Sequence, residues 1–175
     1  ASKASTGNLA VHLEKLEAGV SVVQIVGEFE DKLNAADLTL LIQKPETPVY
    51  VMADGRHFWR VIDNLMNNIC KYAQPGTRVY VDLRENGGQV ELIFRNTSRY
   101  PLNISSEELM ERFVRGDESR NTEGSGLGIS IAKSLMELMG GSFMLYVDGD
   151  LFKVVLGFAQ MEEEKEPLDE DKSGK

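Results

Sequence analysis

Hydrophobic positions along the chain change period several times, and the changes mark out its elements. Val22, Val23, Val26, Phe29 and Leu33 recur every three or four positions among Glu28, Glu30, Asp31 and Lys32, so one amphipathic helix is expected over residues 20–34. Residues 38–43 and 49–52 read as strands separated by Pro45 and Pro48. Asp54 is placed to cap a long helix that reaches about residue 73 and stops at Gln74-Pro75-Gly76. Residues 78–84 and 89–95 alternate around Glu85-Asn86-Gly87-Gly88, a hairpin pattern, and residues 142–147 and 151–158 repeat it around Asp148-Gly149-Asp150. Ser105-Ser106-Glu107-Glu108 opens a short helix to residue 113 in the manner of a capping box, and residues 129–139 carry a last apolar-periodic helix. Between these two helices, residues 115–126 lack apolar side chains and read as a mobile loop. This order predicts an α+β fold: a two-layer α/β sandwich with a mixed, mostly antiparallel sheet and three main helices on one face.

Two stretches carry candidate chemistry. Glu123-Gly124-Ser125-Gly126-Leu127-Gly128 puts glycine at every second position just before a helix. Backbone N–H groups there can approach an anion, and the helix N-terminus adds partial positive charge. The same hexamer also suits a plain hinge, and its spacing matches neither the dinucleotide nor the P-loop fingerprint. On the long helix, at 100° per residue, Val61, Ile62, Leu65, Ile69, Tyr72 and Ala73 share one arc, while Arg60, Asn64, Asn68 and Lys71 fall within about 80° on another. Asparagine is a poor helix former, so a stripe built on Asn64 and Asn68 points to contacts rather than to an ordinary solvated face. Neutral amide oxygens suit a Mg²⁺ that keeps waters and phosphate ligands, with Lys71 adding charge at the phosphates.

Composition narrows the partners. The 175 residues, 42% of them hydrophobic, suffice for one domain with a full core. A net charge of -9 argues against nonspecific binding to nucleic acid and against direct contact with an anionic membrane. Residues 161–175 hold seven acids against three lysines, an acidic tail expected to be disordered. The single cysteine, Cys70, leaves no intramolecular disulfide and fits a cytoplasmic setting. No apolar run is long enough to span a membrane, so any anchor would lie outside these residues.

Three motifs in register now carry a resemblance. Asn64-Leu65-Met66-Asn67-Asn68-Ile69-Cys70-Lys71-Tyr72 resembles the N box of bacterial sensor histidine kinases, N-x-x-x-N-A-x-K-Y. Arg112-Phe113-Val114-Arg115-Gly116-Asp117 is similar to their F box, and Gly124-Ser125-Gly126-Leu127-Gly128 to their G2 box. The resemblance is to the catalytic and ATP-binding domain, the Bergerat fold, over residues 20–160, with residues 1–19 resembling the end of a dimerisation helix and its linker. It implies ATP and Mg²⁺ as ligands, with Asn68 on the metal, Asn64 and Lys71 at the phosphates, and Tyr72 packing either on the nucleotide or simply in the core. Arg115 would belong to a lid, as a phosphate contact or an exposed charge, and Gly124, Ser125, Gly126, Leu127 and Gly128 would meet the triphosphate. The implied activity is donation of the γ-phosphoryl group to a histidine on a dimerisation domain. A response regulator would act downstream, and a membrane-anchored receptor would hold the domain in the cytoplasm.

One motif departs. The family's G1 box, D-x-G-x-G, falls where this chain reads Asn96-Thr97-Ser98, so Asn96 replaces the carboxylate that accepts from the adenine amino group, and Ser98 replaces the first glycine. An amide oxygen still accepts, without charge assistance, and the loss is about 1 kcal/mol. Neither His12, followed by Leu13, nor His57, followed by Phe58, matches the phosphoacceptor pattern, and His57 at an apolar-arc position reads as structural. The alternatives are a degenerate nucleotide-binding sensor with little or no turnover, and an ATPase of the gyrase, Hsp90 or mismatch-repair type. Those ATPases carry a glutamate base near the position of Asn64.

Overall fold

The computed structural model describes residues 10–115 and 127–162. Among these residues seven strands form one sheet: β1 (Glu14–Glu17), β2 (Leu38–Gln43), β3 (Tyr50–Ala53), β4 (Thr77–Asn86), β5 (Gln89–Thr97), β6 (Ser142–Asp148) and β7 (Leu151–Met161). Their order is β1-β3-β7-β5-β4-β2, with β6 also paired to β7. Only β2 and β4 run parallel among these pairs. Gly87 and Gly88, with φ of 58° and 85°, make the two-residue turn that joins β4 to β5.

Among the described residues five helices cover one face: α1 (Ala18–Gly27), α2 (Glu30–Ala35), α3 (Gly55–Tyr72), α4 (Ser106–Arg115) and α5 (Leu127–Leu138). The alternating inward residues Val79, Val81 and Leu83 of β4, Val90, Leu92 and Phe94 of β5, and Phe152, Val154, Leu156 and Phe158 of β7 are buried against them. Phe58 of α3 meets the Phe158 ring at 5.5 Å between centroids. On the uncovered face, Arg95 reaches Asp82 at 2.7 Å and lies over the Tyr80 ring, and Arg84 pairs with Glu91 at 3.2 Å. Such cross-strand pairs contribute little stability, about 0–1 kcal/mol each, and keep that face compatible with water. The expected α+β sandwich is therefore what the chain forms.

Two details differ from the sequence reading. The single helix expected over residues 20–34 is split into α1 and α2. After Gly27, the N–H groups of Glu28 and Phe29 bond back to Ile25 O and Val26 O, three residues earlier, and tighten the turn. Val22, Val26, Phe29 and Leu33 stay buried, so the break preserves the apolar stripe that suggested one helix. The sheet also begins before residue 20. Glu14–Glu17 pairs antiparallel with β3, and the Glu17 carboxylate caps α1 by accepting from Gly19 N and Val20 N. The loop expected over residues 115–126 lies, beyond Arg115, outside the described residues.

Candidate nucleotide site

Asp54 starts α3 as expected, its Oδ1 accepting from Arg56 N at 3.0 Å and His57 N at 3.2 Å. Its Oδ2 accepts from His12 N at 2.8 Å, and the His57 ring Nε2 lies 3.2 Å from Ala10 O. Burial works to raise the Asp54 carboxyl, but the N–H groups of His12, His57 and Arg56, with the charge of His57, outweigh it and hold it below the usual range. The N-terminal segment is thereby tied to the first turn of the asparagine-bearing helix. His57 is buried, as its place on the apolar arc implied.

At the other end of α3 a cavity of about 490 Å³ opens between helix and sheet. Its described lining comprises Asn68 and Tyr72 of α3, Asn96 of β5, Ser98, the segment Tyr100, Pro101, Leu102, Asn103 and Ile104, then Leu109, Arg112 and Phe113 of α4, and Phe152 of β7. The Phe113 and Phe152 rings meet edge to face, 6.4 Å between centroids. Asn96 continues the inward row of β5 after Val90, Leu92 and Phe94, and only 5% of it is exposed. Its Oδ1 is buried without a hydrogen-bond partner. An orphaned acceptor of this kind is costly unless something completes it.

The polypeptide around Asn96 is fixed from both sides. Gln74 N donates to Thr97 O at 2.8 Å and Arg99 N to Tyr72 O at 2.8 Å, joining the end of β5 to the end of α3. Ser98 N donates to Asp150 O at 2.6 Å and Leu102 N to Gly149 O at 3.1 Å, joining it to the β6–β7 turn. The Ser98 hydroxyl accepts from Tyr100 N at 3.2 Å, so it shapes the turn into the cavity wall. Ser98 lies outside the left-handed region that would demand glycine, since Asp37 alone among the described non-glycine residues has positive φ.

Of the residues singled out from sequence, the structure brings Asn68, Tyr72, Asn96 and Ser98 into one cavity wall. Asn64 and Lys71 are outside that lining. Asn64 lies one turn earlier on α3, its Nδ2 buried and without a partner, and a Cβ on Gly128 would sit 3.6 Å from its Cβ. The first turn of α5 therefore rests on the asparagine stripe. The Asn64 amide can offer its nitrogen to a phosphate oxygen or, turned, its oxygen to a cation. Lys71 is half-buried, its Nζ 5.4 Å from the centre of the Tyr72 ring. Arg115 ends α4 and Leu127 begins α5, while Gly124, Ser125 and Gly126 fall outside the described residues.

The donor set suits a neutral, planar group with a donor edge better than a bare metal. No group of three or more His, Cys, Asp or Glu side chains converges among the described residues, so Mg²⁺ would depend on an amide such as Asn68 together with ligand oxygens and waters. The sequence reading missed the stretch from Tyr100 to Ile104, which has no periodicity to mark it. It also placed Phe152 only as a strand residue. The signal available was Pro101 and the change from alternation after Ser98.

Comparison with known proteins agrees with this geometry. Residues 53–167 match the family described as histidine kinase-, DNA gyrase B- and HSP90-like ATPase. The probable sensor kinase SilS of Salmonella typhimurium is 29% identical over 137 residues, covering 77% of this chain and 28% of that protein. The chain thus spans little more than a quarter of that relative. The nucleotide-free catalytic domain of the histidine kinase ThkA superposes with a TM-score of 0.72 at 18% identity, over 85% of this chain and 96% of that one. Full-length ShkA in complex with AMPPNP superposes with a TM-score of 0.72 at 18% identity, over 91% of this chain and 34% of that one. With a cavity walled by the amides of α3 and β5 and a family match over most of its length, the chain belongs to the histidine kinase-, DNA gyrase B- and HSP90-like ATPases, and it shares the fold of the ThkA catalytic domain.

Proposed function

We propose that this domain binds ATP with Mg²⁺ and donates the γ-phosphoryl group to a histidine on a dimerisation domain of the same protein. The observation that carries the reading is the buried, partnerless Oδ1 of Asn96 in a cavity wall shared with Asn68 and Tyr72. In this reading the adenine enters the cavity with its amino group toward Asn96, and Tyr72, Leu102 and Phe113 enclose the ring. Asn64 donates to phosphate oxygens, Asn68 holds the metal, and Lys71 adds positive charge. Arg115 belongs to the lid, and Gly124, Ser125, Gly126, Leu127 and Gly128 meet the triphosphate. Bound Mg²⁺ would neutralise charge on the transferring phosphate; the chain's own contribution is positioning and donor groups. The connection to the dimerisation helices, expected over residues 1–19, would be limited to the residues before β1, and the residues after β7 would act as an acidic tail.

His57 is buried under Ala10 O, a poor place for a phosphoacceptor, which supports an acceptor supplied by another domain. The wider setting follows from the same reading: a cytoplasmic position behind a membrane-anchored receptor and a response regulator as the final acceptor. Among the described residues no helix is long and apolar enough to cross a membrane.

Asn96 and Ser98 favour one competing reading, a nucleotide-binding sensor module with little or no kinase turnover. Titration calorimetry with a nonhydrolysable ATP analogue and Mg²⁺ tests the first claim: weak binding is expected, and no binding at millimolar ligand would refute it. Single-turnover transfer to a supplied histidine-bearing dimerisation domain separates the two readings. Labelled histidine supports the kinase, and nucleotide binding without transfer supports the sensor module.

A further inference from the structure

We propose that the cavity accepts purine nucleotides whether carbon 6 carries an amino or an oxo group, with Asn96 as the residue that removes the distinction. The proposal rests on the reading of this cavity as the base site.

Asn96 closes the inward row of β5, is 5% exposed, and leaves its Oδ1 without a partner. A primary amide presents an acceptor and two donors from the same point, and a half-turn of its terminal torsion exchanges them. Toward a 6-aminopurine, Oδ1 accepts from the amino group while Nδ2 donates to ring nitrogen 1. Toward a 6-oxopurine, the turned amide donates from Nδ2 to the oxo group while Oδ1 accepts from the protonated nitrogen 1. Both pairings use two neutral hydrogen bonds.

Nothing else in the described wall breaks the tie. It contains no Asp or Glu, so no fixed negative charge repels an oxo group. Asn68, Ser98 and Asn103 can donate or accept, and Arg112 only donates, which does not disfavour an oxo group. A polar site rejects an analogue when the exchange leaves a buried group unpaired. A carboxylate at position 96, acceptor-only and set to accept from a six-position amino group, would create that condition for a 6-oxopurine in the same pose, because it has no donor to turn toward the oxo oxygen. An amide does not.

Inosine triphosphate isolates the exchange, since it differs from ATP at the six-position edge and carries no 2-amino group. Competition of ATP and inosine triphosphate, each with Mg²⁺, against a fluorescent ATP analogue on this chain is expected to give dissociation constants within about tenfold of each other. Asn96→Asp should tighten ATP and weaken inosine triphosphate, widening the ratio by more than about tenfold. If the unsubstituted chain binds ATP but prefers it over inosine triphosphate by about a hundredfold or more, the proposal is wrong and the base-site reading stands. If neither displaces the probe and calorimetry shows no ATP binding, both fall. The comparison on the unsubstituted chain decides the matter even where the variant fails to fold.

Discussion

Asp54 Oδ2 accepts the backbone N–H of His12 across 42 residues of sequence, at 2.8 Å, while Oδ1 of the same carboxylate caps α3. One side chain therefore joins the segment entering the domain to the helix that carries Asn64 and Asn68. Replacing it removes a cap and a long-range charge-assisted bond together. Asp54→Ala should cost about 2–3 kcal/mol in urea unfolding, and a loss near zero would show that the contact is dispensable.

The same carboxylate gives a pH dependence. Burial opposes its charge, yet the surrounding N–H groups and His57 hold its folded value below the ordinary one. A group with a depressed folded value stabilises the fold above its unfolded value, about 4, and that contribution fades as pH falls through the folded value. Chemical denaturation between neutral pH and pH 3 should show Asp54→Asn losing less stability on acidification than the unsubstituted chain; parallel curves would contradict the assignment.

Gly141 sits where α5 turns into β6, and a Cβ there would lie 2.6 Å from Gly157 O and 2.7 Å from Met136 Cε. The methionine tip can move, but the strand carbonyl is held in the ladder. Gly141→Ala is expected to destabilise the domain by about 1–3 kcal/mol, read as a lowered melting temperature. An unchanged melting temperature would mean that β6 shifts freely.

For the metal, the decisive comparison is nucleotide binding with and without Mg²⁺. Asn68→Ala should abolish the difference between the two conditions, because the chain offers no converging acidic cluster among its described residues to replace the amide. A Mg²⁺ dependence equal to that of the unsubstituted chain would remove Asn68 from the metal's ligands.

Cys70 is half-buried on α3, and burial pushes its thiol above the ordinary value, with Lys32 only partly offsetting it. Thiolate is then scarce at neutral pH. Alkylation by iodoacetamide in native buffer should run at least about tenfold slower than in denaturant, and equal rates would show an exposed thiol.

Period and punctuation made most of this fold legible. The Asp54 cap, the Gly87-Gly88 turn and both hairpins stand where the residues put them, because each rests on local chemistry that the sequence states directly. The break between α1 and α2 was hidden because Val22, Val26, Phe29 and Leu33 keep helical spacing across it. β1 was hidden for a different reason: four residues, two exposed and two half-buried, are held as a strand through β3, far away in sequence. In the site, Asn68 could be singled out from the polar stripe on the long helix, and Asn96 from the motif that departs from the resemblance. The wall from Tyr100 to Ile104 could not, since only its ties to Gly149 and Ser98 define it.

The pairing of β7 has a consequence for how the chain reaches its native state. Val51 and Tyr50 join the main sheet only through Gln160 and Met161, some 110 residues later. Among the described strands β1 pairs with β3, so the edge made of residues 14–17 and 50–53 joins the rest of the sheet through β7. Closing so long a loop costs entropy before any contact returns it, and non-local strand pairing of this kind slows folding. During synthesis β1 and β3 can then pair with each other but not with the main sheet, while the β4–β5 hairpin forms locally. Placement of the upstream segment against Asp54 is expected among the last events, after the final strand has left the ribosome.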